Sequence, residues 1–158
     1  MKLNPELLMV VIPALCWLLY ALGGTTIGYR SDGSKMKGIK SFRRYGVALV
    51  LAGFCLFASW WQALLVGALT VGSFSLGYGV KHTWLKRILV GFAMGLISLP
   101  LGLSWWSLSP PLVFIGTYFL SNWKPMSDTF TWKLCEGLTG LSVGISVSYL
   151  LAGHGLLW

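Results

Sequence analysis

The sequence predicts an all-α fold: a polytopic transmembrane helical bundle of about six short spans arranged in hairpins. Three observations carry this reading. Of 158 residues, 56% are hydrophobic and only 10% are charged, against ~25% charged in soluble domains. A soluble chain of this size has no interior large enough to hide so much apolar surface. Apolar runs of roughly spanning length alternate with polar loops. Eleven of the twelve Lys and Arg fall into three of those loops, and six spans put all three on one side. Residues 1–158 therefore read as a single integral membrane domain, with spans at about 7–24, 45–59, 62–80, 88–104, 108–121 and 134–151.

The first apolar run follows Lys2, Pro5 and Glu6 and is longer than a signal-peptide core of ~7–15 residues. It reads as a retained span, interrupted by Pro13, which removes one helical hydrogen bond. Residues 25–44 form a loop with six basic residues, ending in Arg43 and Arg44. The apolar stretch from Tyr45 to Val80 is too long for one crossing of a ~30 Å hydrocarbon core. It reads as a hairpin bent at Ser59-Trp60-Trp61-Gln62, where polar and interfacial residues cluster.

A second basic loop, residues 81–87, contains Lys81, Lys86 and Arg87 and precedes the fourth span. The turn SWWSLSPP carries Trp105 and Trp106, and its Pro110-Pro111 suits the first turn of the fifth helix. That span is short; the alternative is that residues 107–121 only dip into the membrane. A third loop, residues 121–133, holds Lys124 and Lys133 and leads into the last span. Cytoplasmic loops are enriched in Lys and Arg. The chain thus reads as a prokaryotic inner (cytoplasmic) membrane protein with both termini on the non-cytoplasmic side. Trp60, Trp61, Trp105 and Trp106 read as interfacial anchors on that outer side.

Arg44, a span and Trp60-Trp61 resemble Arg87, a span and Trp105-Trp106. A two-helix internal repeat explains this, but so does the shared orientation of any two such hairpins. Close helix contacts are expected at Gly91-x-x-x-Gly95, Gly140-x-x-x-Gly144 and Ala48-x-x-x-Ala52.

The chemistry is narrow. Ionisable groups inside spans mark ion and proton paths, and Glu136 is the sole candidate, about one turn into the last span. No metal site is expected: His82 and His154 fall on opposite faces, acids are few, and no metal-ligand spacing occurs. Cys16, Cys55 and Cys135 read as packing residues. No cofactor is expected, and no nucleic-acid partner, because the net charge of +8 is accounted for by the loops.

The candidate site is the basic rim. Arg43, Arg44, Lys86, Arg87 and Lys133, with Glu136, are expected to bind anionic lipid headgroups or a partner. The partner is a second membrane protein or another copy of the chain. The sequence thus points to a non-enzymatic membrane protein. The alternatives are a small channel or passive transporter built from repeated hairpins, and, more remotely, a lipid-headgroup enzyme.

Overall fold

The computed structural model of the chain describes residues 4–22, 39–79, 83–123 and 129–153. Among these residues it is all-helical, with six α-helices: α1 (Pro5–Leu22), α2 (Ile39–Cys55), α3 (Trp60–Gly79), α4 (Thr83–Gly95), α5 (Ser109–Trp123) and α6 (Thr129–Leu151). Two 3-10 segments, Leu96–Leu101 and Trp105–Leu108, link α4 to α5. Three stretches are long and apolar enough to cross a membrane: Pro5–Leu22, Trp84–Leu101 and Leu134–Leu151.

Local chemistry sets several boundaries. The Glu6 amide donates to Asn4 Oδ1 at 3.0 Å, Pro5 occupies the first helical position, and Glu6 faces the positive end of the helix dipole. The bend between α2 and α3 falls at Leu56–Ser59, earlier than the sequence suggested. Amides of Phe57, Ala58 and Ser59 fold back onto the Phe54 and Cys55 carbonyls, and Ser59 Oγ accepts from the Gln62 amide at 3.3 Å. Ser59 thus caps α3, and Trp60, Trp61 and Gln62 form its first turn. Gln62, read as a turn residue, instead donates its side-chain amide to the Pro100 carbonyl at 3.0 Å.

The α4 helix also differs from the expected fourth span. It starts at Thr83, within the basic loop, and gives way to 3-10 geometry after Gly95. Pro100 has no amide hydrogen to donate to an α-helical ladder. The 3-10 segment ends at Gly102, whose φ of 127° and ψ of −174° only glycine adopts readily. This irregular link distinguishes the α4–α5 connection from the short α2–α3 bend, although a Trp pair follows the bend in both.

The helices close into a ring in chain order, α1 to α6, with α6 packed back on α1. Each neighbouring pair runs antiparallel where its register is visible. Gly46 meets Leu19, Gly67 meets Ala52, Gly91 and Gly95 meet Pro111, and Gly140 and Gly144 meet Cys16 and Pro13. The small-residue patterns therefore make contacts inside the bundle. The α1–α6 seam is the closest of them. A Cβ on Gly140 would lie 2.5 Å from the Cys16 carbonyl oxygen, and one on Gly144 2.6 Å from Pro13 Cα.

The middle of the ring is filled. Ile12, Tyr20, Leu51, Val66, Phe74 and Met94 are each almost wholly buried, and the Tyr20 and Phe74 rings meet with centroids 5.4 Å apart. The last helix is the central one: its apolar stretch is 67% buried, against 28% for α1. Large apolar side chains cover the outside, including Val10, Leu49, Leu64, Phe92, Leu112 and Leu138 on α1 to α6 in turn.

Candidate functional site

The alternating helix directions put the N-terminal ends of α2, α4 and α6 at one end of the ring. Arg43 and Arg44 lie in the first turns of α2, Lys86 and Arg87 in the first turn and a half of α4, and Lys133 in the first turn and a half of α6. The positive ends of three helix dipoles thus coincide with five basic residues, a combination that favours anions. Lys86 is half-buried. The side chains of Arg43, Arg44, Arg87 and Lys133 lie outside the described residues, as do Lys81, His82, Lys124, Asp128, His154 and residues 25–38.

Arg43-Arg44 and Lys86-Arg87 do not lie on neighbouring helices. Helix α3 stands between α2 and α4 in the ring, whereas α2 contacts α6. Helix α2 thus touches the helix that carries Lys133 and Glu136. Glu136 itself is buried, at 4% exposure, and sits one turn beyond Lys133.

The opposite end has a different character. Trp60, Trp61, Trp105 and Trp106 are all exposed there, on the first turn of α3 and on the second 3-10 segment. Trp106 also leans on Tyr149 of α6, with centroids 6.2 Å apart.

Between the two ends runs a feature that the sequence reading missed. Cys135, Thr139, Ser142 and Ser146 recur on α6 at intervals of four, three and four residues and are all buried. This spacing lines one face of a helix. Ser146 finds its partners in the α4–α5 link. Ser146 Oγ donates to Ser98 Oγ at 2.9 Å, Ser98 Oγ to Ser107 Oγ at 3.0 Å, and Ser146 lies 3.4 Å from Ser107. Ser109 Oγ reaches the Ser142 carbonyl at 3.5 Å. Thr139 and Ser142 hydroxyls donate to carbonyls of their own helix, at Cys135 and Thr139. The signal was the hydroxyl spacing on α6; it was hidden because serine and threonine occur throughout apolar helices.

Cys16, Cys55 and Cys135 are free and buried. Among the described residues, no group of three His, Cys, Asp or Glu gathers in a way that would hold a metal ion. No protein-family model matches the chain, and no curated protein or solved structure matches it either.

Proposed function

We propose that the chain is a multi-pass integral protein of a prokaryotic inner membrane that holds anionic lipid headgroups at its basic end. That end faces the cytoplasm, and both termini lie on the other side. The observation that carries this reading is the alternation of helix directions, which gathers the starts of α2, α4 and α6 with Arg43, Arg44, Lys86, Arg87 and Lys133. The apolar outer surface of all six helices supports it, since soluble monomers seldom expose contiguous apolar area of this extent. Trp60, Trp61, Trp105 and Trp106 at the far end suit the opposite membrane interface. The filled middle, with Tyr20 against Phe74, weighs against a pore through one copy.

Each basic residue near an anionic surface contributes about 1 kcal/mol. Replacing Arg43, Arg44 and Arg87 together by glutamine should weaken headgroup binding by on the order of 100-fold. Quantifying anionic glycerophospholipid that co-purifies with the full-length protein measures this. A triple variant that keeps its full complement of lipid sinks the proposal. The orientation has a separate test: alkaline phosphatase should be active when fused after Leu151 and inactive when fused within residues 25–44. The reverse pattern overturns it.

A further inference from the structure

Residues 96–106, which connect α4 to α5, form a loop with a pinched neck. A Cβ on Gly95 would lie 3.1 Å from the Ser107 carbonyl oxygen and 3.3 Å from Pro111 Cδ, so the two ends of the loop nearly touch. Compact loops with adjoining ends are a recurrent functional design. Within this one the backbone is 3-10 helix, then extended around Gly102 and Ser104, then 3-10 again. Such stretches often mark hinges.

Its inside and outside are inverted relative to an ordinary soluble loop. The buried residues are Ile97, Ser98 and Ser104, while Leu96, Leu99, Trp105 and Trp106 are exposed. Ile97 and Leu101 pack on the apolar core, and the rest of the loop is fastened by polar contacts. Ser98 is tied to Ser146 and Ser107, and the Pro100 carbonyl accepts from Gln62 of α3. Beneath Ser98 lies Ser146, on the hydroxyl-bearing face of α6. Water can replace hydroxyl–hydroxyl and amide–carbonyl bonds at little net cost, since each is exchanged for an equivalent bond. It cannot replace apolar packing in that way. The polar latches are thus the part of the attachment that water can undo most readily.

We propose that residues 96–106 are a hinged lid, with its neck at Gly95 and Ser107 and latches at Ser98–Ser146 and Gln62–Pro100. Release of the latches opens the hydroxyl face of α6 to water from the Trp-bearing end. Leu96, Leu99, Trp105 and Trp106 are already exposed, so the apolar surface that opening uncovers is limited to Ile97 and Leu101.

The test compares two adjacent positions on α6. Ser146 faces the lid, whereas Val147 is fully buried and belongs to the apolar core. Ser146→Cys and Val147→Cys variants of the full chain, in proteoliposomes, are exposed to a water-soluble thiol reagent. Site-resolved mass spectrometry separates their labelling from that of the native cysteines. Ser146→Cys should label at least about tenfold faster than Val147→Cys, reflecting local rather than global opening. Ser146→Cys itself weakens the Ser98–Ser146 latch; adding Gln62→Ala removes the other and should raise the Ser146→Cys rate about two- to tenfold, leaving Val147→Cys unchanged. Equal rates at the two positions, or a Ser146→Cys rate indifferent to Gln62→Ala, overturn the lid. Should a cysteine variant fail to fold, hydrogen exchange of the otherwise native chain gives the same decision. Gln62→Ala should speed exchange in residues 96–106 selectively, and unchanged exchange there refutes the proposal.

Discussion

Replacing Gly140 and Gly144 together by alanine should destabilise the protein by about 2–6 kcal/mol, taking roughly 1–3 kcal/mol for each overpacked site. The new methyl groups would meet backbone: the Cys16 carbonyl oxygen at 2.5 Å and Pro13 Cα at 2.6 Å. No side-chain rotamer change relieves either contact, so α1 and α6 must separate. Separation opens the ring at its only junction between the first and last helices. The controls lie in the same chain. A Cβ on Gly53 or Gly116 meets nothing within 4 Å, so alanine there should be neutral or stabilising by up to ~1 kcal/mol through helix propensity. Thermal unfolding in detergent distinguishes the cases. A double variant that melts with the Gly53→Ala and Gly116→Ala proteins would show that the seam does not hold the ring closed.

That seam also shows what the sequence discloses and what it conceals. Gly140-x-x-x-Gly144 announces a close contact, because small residues four apart share a helix face. It does not name the partner. In the fold that partner is the helix farthest away in sequence, and Pro13 fits against the missing side chain of Gly144. Helix number and the two hairpin regions were legible for a similar reason: apolar runs, Trp pairs and prolines act locally. Gln62 was misread because its polarity was assigned to a bend, whereas a tertiary acceptor, the Pro100 carbonyl, uses it. The α4–α5 link was misread as a simple turn because 3-10 geometry depends on contacts at Gly95, Pro100 and Ser107 that come together only in the fold. Of the candidate site, the residues Arg43, Arg44, Lys86, Arg87 and Lys133 were readable as basic loop ends, but their arrangement around the ring was not. The ring places α3 between α2 and α4, and charge patterning carries no information about that order.

The two ends of the bundle follow different physical logics, and α6 connects them. Its first turns carry Lys133 and the buried Glu136, while its outer half carries Ser146 beneath the lid. One face of α6 is glycine against α1, and another is hydroxyl against the α4–α5 link. The glycine face is close-packed against α1, with Gly140 and Gly144 set against the Cys16 and Pro13 backbone. The hydroxyl face can exchange its partners for water. Any motion that reaches the centre of the ring is therefore expected on the α4–α5 side of α6, with α1 staying fixed.

Phe74→Ala should cost about 3–5 kcal/mol, the range for removing a fully buried aromatic side chain. Phe74 is 1% exposed and its ring meets Tyr20 across the bundle, linking α3 to α1, which are not neighbours in the ring. The loss leaves a cavity beside Tyr20, which is held by its own helix and cannot collapse fully into it. The matched control is Phe92, which is 61% exposed on the outer face of α4; its replacement by alanine should change stability by less than ~0.5 kcal/mol. Denaturation monitored by tryptophan fluorescence reads both. Comparable small effects at Phe74 and Phe92 would mean that the middle of the ring is not packed, and the argument against a pore through one copy would fall with it. A large effect confined to Phe74, with no new solute flux into liposomes carrying the variant, is the result expected of a sealed bundle that works at its ends.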